Sequence, residues 1–476
     1  MKNIKYSWLL SMLTALVLVL SACGGGQASP TTKAAGAEAT ATQPPAEEKA
    51  TATVASAETI KLVVWDFGGD EFSWMDNIVI PAYQEKHPNI KIEHVGVPED
   101  ELGTKLETAI AANAPPDLVV FPPNRVVAAG HALVLDDYMA RDGLNRSDYC
   151  TLFGSWNVFT GGGTYDNKVM SLPIDTNIWA MMYNKDLFAK AGLPMLGPDD
   201  VIDFDTWLNY ARAINKPADK LADRVWGSNL FFPIWNSMNN YMSDPYVLGD
   251  DGRTCLGNAE TDDWVHFWEV QVTAYKEDLT TWTAGSMLTD VQEDMFLQGK
   301  VGMTEAAMGD AFNAAQQGLN VGLTGQPVVS KGWPGNVGGW NTDYYIMAAT
   351  KHPEEAWQFL KFLSIEVPMI VPVGTDALAG AGGLPGLPCY LPLLKEAKFQ
   401  EMMKQNPLVA DAVKLMKRIK LPPFTPDIWT SVNAFNDGFT AMTEQGVPVK
   451  EALHKTAQDC QDATDQLWST YEAIRK

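Results

Sequence analysis

The chain has 476 residues, with 58 Asp and Glu against 35 Lys and Arg, a formal charge of −23. That acidity argues against nucleic acid or an anionic lipid surface as partner, because like charge repels both. A 46% apolar share is ample for packed cores, and the length predicts about two or three domains.

Lys2 and Lys5 precede an uncharged apolar run from Trp8 to Leu20. The run is short for a bilayer and has signal-peptide flanks. It closes on Leu20-Ser21-Ala22-Cys23, followed by three glycines. This resembles a bacterial lipoprotein cleavage box, which implies removal of residues 1–22 and a lipid carried on Cys23. A plain secretory peptide cleaved near Ala22 is the alternative. Residues 24–57 are mostly Ala, Thr, Pro, Gly, Gln and Glu. They cannot bury enough apolar surface to offset chain entropy, so 23–57 reads as a disordered tether. No later run is long and apolar enough to span a membrane. The expected location is the outer face of the cell membrane, by lipid anchor.

Ile60 to Trp65 is a strand-like run broken by Asp66-Phe67-Gly68-Gly69. Residues 71–87 read as a helix, Ile90 to Val95 alternates as a strand, and Pro98 to Ala112 is helical with Leu102, Leu106 and Ile110 at four-residue spacing. Leu118 to Phe121 is an apolar run suited to a buried parallel strand. Strand, helix, strand, helix, strand predicts an α/β domain with a mainly parallel sheet, and ligands collect at the carboxyl ends of such strands. Those ends make Trp65, Asp66 and Asn124 candidate site residues.

Val169 to Leu172 is a short apolar run stopped by Pro173, and Ile178 to Tyr183 is a second run of strand length. Asp175 and Asn177 lie between them as candidates. Asp186 is placed to cap a helix bearing Leu187, Phe188 and Ala191, which Gly192 and Pro194 close. Asp203 to Leu208 opens a helix, and residues 226–242 are rich in aromatics, among them the candidate Trp235. Asp250-Asp251-Gly252 is a turn without the alternating ligands of a calcium loop. Asp262 to Tyr275 reads as an amphipathic helix. Asp310 follows a strand that returns after Gly299, and Trp340, Asn341 and Asp343 precede the strand Tyr344 to Ala348. Lys351 to Leu363 is a helix opened by Pro353 and two glutamates, with Trp357, Phe359, Leu360 and Leu363 as its core stripe. The tail from Asp427 reads as helices, with Trp429 near their start.

Besides Cys23 there are four cysteines, Cys150, Cys255, Cys389 and Cys460, which outside the cell have three possible pairings. No Cys-x-x-Cys occurs and the six histidines lack ligand spacing, so no metal or cofactor is expected.

Three stretches resemble the extracellular solute-binding proteins of ABC sugar importers. They are Tyr183-Asn184-Lys185-Asp186-Leu187-Phe188 with Ala191-Gly192-Leu193, Phe296-Leu297-Gln298-Gly299-Lys300-Val301-Gly302-Met303, and Lys351 through Leu363. The Gly380–Pro388 loop and the Gly446–Leu453 segment add to the likeness, which runs from about residue 58 to the end. The resemblance implies a two-lobed, periplasmic-binding-protein-like (type II) α/β fold, each lobe a mainly parallel sheet flanked by helices. The first lobe would take 58–182 and 342–400, the second 183–341 and 401–476, with a hinge between them. It implies a monomer that closes on a sugar or oligosaccharide and docks on a membrane permease driven by a cytoplasmic ATPase. On that map Cys150 pairs with Cys389 and Cys255 with Cys460, each within a lobe. With 16 Trp and 10% aromatics, flat rings are available for sugar faces and acids and amides for hydroxyls. The implied role is binding without catalysis. A lipid-anchored extracellular glycoside hydrolase is the alternative, since paired carboxylates are its chemistry. A binding protein for peptides, polyamines or metal is a further rival.

Overall fold

A computed structural model describes residues 59–67, 74–151, 153, 158–159, 167–229, 246–281, 295–330, 332–333, 337–371, 386–419, 424–426 and 429–474. Cys23, the signal segment, the tether and Trp235 lie outside them.

In chain order the strands are β1 (Ile60–Phe67), β2 (Ile90–Val97), β3 (Leu118–Val120), β4 (Val158–Phe159), β5 (Lys168–Val169), β6 (Leu172–Asn184), β7 (Trp226–Ser228), β8 (Val301–Ala307), β9 (Val321–Thr324) and β10 (Gly338–Ile346). Eight of them form one sheet in the order β2-β1-β3-β10-β6-β8-β7, with β9 also paired to β6. β1 is parallel to β2 and to β3, and β7 is parallel to β8. Between these parallel ends, β10 and β6 run antiparallel to their neighbours. The sheet is therefore mixed, and its middle is made of two long strands, β10 bonded to β3 on one side and β6 to β8 and β9 on the other.

β6 is the longer of the two, 13 residues without a break. The expectation that Pro173 ends a strand is corrected. Pro173 sits inside β6, opposite Asp343, beside a register shift between Thr342 and Asp343. A bulge is where a strand tolerates a residue that cannot donate to the ladder. The helix cap is also reassigned. The Asn184 side chain, not Asp186, accepts from the Asp186 and Leu187 amides at 3.0 and 3.1 Å. Gly192 closes that helix at φ 69°, in the left-handed region.

Apolar residues divide into two clusters. The first surrounds β1, β2 and β3 and the helix Pro353–Ile365, and takes in the helices Met308–Gln316, Ala397–Gln405 and Pro407–Met416. The second is built on Phe204–Ile214, Asp262–Lys276, Trp429–Thr443 and Val449–Ile474. The far half of β6 serves both: Ala180 and Met182 enter the first cluster, Met181 and Tyr183 the second. Alternation along a strand sends successive side chains to opposite faces, so one strand ties the two cores together. Trp357, Phe359, Leu360 and Leu363 are fully buried, as their helical stripe predicts. Disulfides join Cys150 to Cys389 and Cys255 to Cys460, the two pairings that the resemblance implies.

Candidate ligand-binding site

Where β6 crosses β10, the register sets Trp340 opposite Asn177 and Gly338 opposite Trp179. On the other side β8 sets Ala307 opposite Trp179 and Glu305 opposite Met181. Small residues on both flanks leave the Trp179 indole room to reach its diagonal neighbour. Its ring lies 5.3 Å from that of Trp340, the planes inclined at 54°. The Trp179 Nε1–H donates to the Glu305 carboxylate, which fixes the indole from the β8 side. Asn177, Trp179, Glu305 and Trp340 are all half-buried. β6, β8 and β10 contain no Lys, Arg or His. The result is a corner of two flat apolar faces with an amide and a carboxylate at its edge and no cation on its strands. Such a surface suits a molecule with an apolar face and hydroxyl groups around it.

Asp175 lies next to this corner and is buried. Its carboxylate accepts from the Thr342 amide at 3.2 Å and from the Gly386 amide. Burial pushes its carboxyl up to about 6, while these hydrogen bonds pull the other way. Gly386 and Leu387 lie along β6, with Leu387 making two backbone hydrogen bonds to Thr176, at 2.7 and 2.8 Å. Two residues on, Cys389 is bonded to Cys150.

Asp66 and Trp65 end β1, with Asp66 buried and Trp65 half-buried against the first cluster. The Asp66 carboxylate accepts from the Tyr344 hydroxyl and from the Phe67 amide. His94 Nε2 is 3.8 Å from Asp66, and its Nδ1 is 3.1 Å from the exposed Asp76. Burial raises the Asp66 carboxyl to about 6 against the pull of His94 and the Phe67 amide. His94 is itself raised above its ordinary value: burial opposes its charge, but the hydrogen bonds and charges of Asp66 and Asp76 outweigh burial.

Asn124 begins the helix Asn124–Ala128 and its amide donates to the Pro426 carbonyl at 3.1 Å. Asn341 and Asp343 on β10 are each 1% exposed, and the Asp343 carbonyl accepts from the Phe121 amide at 3.2 Å. Asp310 is half-buried in the first turn of Met308–Gln316 and accepts from the Ala307 amide at 2.9 Å, the position of a helix cap. Trp429 opens the helix Trp429–Thr443. Of the residues singled out by sequence, then, Asp175, Asn177 and Trp340 come together at the strand crossing. Trp65 and Asp66 lie near the end of β1, and Asn124 begins the helix that follows β3. Trp179 and Glu305 were not anticipated. Asp175, Asn177 and Trp179 alternate at two-residue spacing on one strand face, a signal open to reading once β6 is taken as continuous.

A separate hollow on the outer side of Pro353–Ile365 is lined by His87, Arg141, Asp142, Glu354, Lys361 and Glu366. Four of its charges pair with one another, Arg141 2.7 Å from Glu354 and Lys361 2.5 Å from Asp142. Among the described residues no group of three or more His, Cys, Asp or Glu could hold a metal ion, and no helix is long and apolar enough to cross a membrane.

Residues 68–364 match the family described as bacterial extracellular solute-binding protein. A binding protein of Brucella abortus is 26% identical over 317 residues, covering 65% of this chain and 72% of the relative. Among solved structures, the sugar-binding protein MalE of Xanthomonas citri superposes with a TM-score of 0.67 at 15% identity, over 87% of this chain and 99% of its own. An ABC substrate-binding protein from Listeria monocytogenes, in complex with cycloalternan, gives 0.64 at 15% identity over 86% and 100%. UgpB from Mycobacterium tuberculosis, in complex with glycerophosphocholine, gives 0.64 at 15% identity over 85% and 98%. The fold is that of the type II periplasmic binding proteins.

Proposed function

We propose, for a chain that belongs to the bacterial extracellular solute-binding protein family, that it captures a neutral sugar or oligosaccharide and delivers it to an ABC permease. The observation that carries this reading is the Trp179–Trp340 corner edged by Asn177 and Glu305, on strands without a cation. A pyranose offers an apolar C–H face to an indole and hydroxyls to an amide or carboxylate. A phosphorylated or acidic sugar would meet carboxylates and no counter-charge on these three strands. Micromolar binding, about −8 kcal/mol, needs only one or two stacked rings and a few satisfied hydrogen bonds.

In this reading two lobes, 58–182 with 342–400 and 183–341 with 401–476, close about β6 and β10. Ligand held from both sides then shifts the population toward the closed form, which the permease recognises. Asp175, Asn341 and Asp343 support the strand crossing. Trp65, Asp66, Asn124, Trp235, Asp310 and Trp429 are further contacts on the cleft walls. The mature protein is a monomer held to the outer membrane face through a lipid on Cys23, and it performs no chemistry on its ligand.

Calorimetry on the wild-type protein with maltose, maltotriose, mannotriose, glycerophosphocholine and spermidine tests this directly. Stoichiometric binding of a carbohydrate with no product formed is the expected result. Tight binding of spermidine alone, or turnover of an oligosaccharide, would overturn it.

A further inference from the structure

Asp175 is an acid that the sequence offers as a ligand contact and that the fold buries, leaving it 4% exposed. It stands opposite Thr342, and two residues further along β6 Asn177 stands opposite Trp340, roughly 7 Å away at strand rise. Alternation keeps Asp175, Asn177 and Trp179 on one face of the strand. The register between β6 and β10 slips between Thr342 and Asp343, immediately beside Asp175. There the Asp175 carboxylate accepts from the Thr342 amide on one oxygen, at 3.2 Å, and from the Gly386 amide on the other. The Thr342 hydroxyl is a third donor. One side chain thus binds three stretches of chain: β6, β10 and the 386–389 segment. That segment is fastened again by Leu387 to Thr176 and by Cys389 to Cys150. Burying an acid with donors but no cation beside it is costly, and here the cost falls one rung from the ligand corner.

We propose, resting on the carbohydrate reading above, that Asp175 is a positioning residue for that corner: its ionised carboxylate fixes β10 and the 386–389 segment on β6, and so sets where Trp340 and Asn177 meet the ligand. A carboxylate accepts from all three donors at once. Once protonated, it carries an O–H on one of the two oxygens that face N–H groups, and a donor loses its acceptor. The groups that face it are the Gly386 amide and the amide and hydroxyl of Thr342, none of them charged. The next acid on β10, Asp343, lies past the register shift, opposite Pro173. Burial lifts the Asp175 carboxyl to about 6 against the pull of those donors. Affinity and stability therefore run in opposite directions around that pH. The folded value lies above the ordinary 3.8, so the stability that Asp175 contributes is full below about 4 and is lost as pH rises through about 6. Affinity is gained over the same rise, because the ionised form holds the corner.

The test is titration calorimetry of the full chain with maltotriose and mannotriose from pH 5 to 8, for the wild type, Asp175→Asn and Thr342→Val. Wild-type affinity should fall about fivefold between the upper and lower ends of that range. Asp175→Asn cannot accept on both sides, so it should bind about fivefold more weakly than the wild type at pH 8 and lose less on acidification. Thr342→Val keeps the backbone donor and removes the hydroxyl. With one donor fewer on the ionised form, its affinity should begin to fall at a higher pH than the wild type's. Should the asparagine chain fail to fold, the valine profile decides alone. A merely structural Asp175 would lower the urea midpoint of Asp175→Asn and leave its affinity and pH profile those of the wild type. That outcome would overturn the positioning role and leave the carbohydrate reading standing, as would a Thr342→Val profile that superposes on the wild type's or a wild type whose affinity is flat with pH. A wild type that binds no carbohydrate would overturn both.

Discussion

Gly386→Ala puts the strand crossing to the test. A Cβ on residue 386 would lie 2.6 Å from Thr176 C and 2.9 Å from Asn177 N, and against the Thr176 carbonyl oxygen. All three are backbone atoms of the central strand β6, so no side chain can swing aside. The 386–387 segment must lift. That separates the Gly386 amide from the buried Asp175 carboxylate and strains the two backbone bonds between Leu387 and Thr176. A hydrogen bond to a charged group contributes ~2 kcal/mol and each backbone bond ~1 kcal/mol, so a partial loss is ~3 kcal/mol. For the 57–476 unit, with unfolding entropy near 2 cal/mol/K per residue, this lowers the melting temperature by roughly 3 °C. Gly257→Ala is the control: its φ of 80° makes alanine strained, but nothing lies within 4 Å of the added carbon. Strain alone costs ~1 kcal/mol, or roughly 1 °C. Scanning calorimetry of the two variants decides. If Gly386→Ala melts no lower than Gly257→Ala, the close approach of residue 386 to β6 is not what holds the crossing together.

Trp340→Ala should weaken carbohydrate binding about tenfold while leaving the melting temperature nearly unchanged, because the ring is only half-buried; equal isotherms for variant and wild type would remove Trp340 from the site. Replacing Cys150 and Cys389 together by Ser opens a link spanning 239 residues and should cost ~4 kcal/mol in urea unfolding under oxidising conditions. Adding dithiothreitol to the wild type should lower its midpoint too, and a midpoint indifferent to both would contradict that role. Asp66 titrates at about 6 when folded, against 3.8 otherwise. A folded value raised this way means that its contribution is full below about 4 and is lost as pH rises through about 6. The displacement corresponds to ~3 kcal/mol. His94, also raised, loses its contribution in the same direction as pH climbs past its ordinary value of 6.5. Asp175, raised to about 6 as well, falls in the same window, so urea unfolding of Asp66→Asn from pH 4 to 7 should show a smaller fall than the wild type, and parallel profiles would refute this.

Much of the fold could be read from the chain alone, because its signals are local. The runs at Ile60, Ile90 and Leu118 alternate or stay apolar as strands do, and they are strands in the structure. Asp203 caps its helix and Pro353 opens one with two glutamates behind it. Gly192 closes a helix where only a left-handed residue can. The strand crossing was not legible in the same way. Pro173 looked like a stop because proline cannot donate to a ladder, yet a register shift on a strand far along the chain, at Thr342 and Asp343, absorbs it. Trp179 and Glu305 are one tryptophan and one acid among many until β8 and β10 set them beside Trp340. Phe121 read as the last residue of a buried strand, yet it lies beyond β3 with a positive φ, its amide donating to the Asp343 carbonyl. Periodicity and caps are written within a few residues and so survive in the sequence. A corner of side chains depends on the register of strands more than a hundred residues apart, which no local pattern encodes.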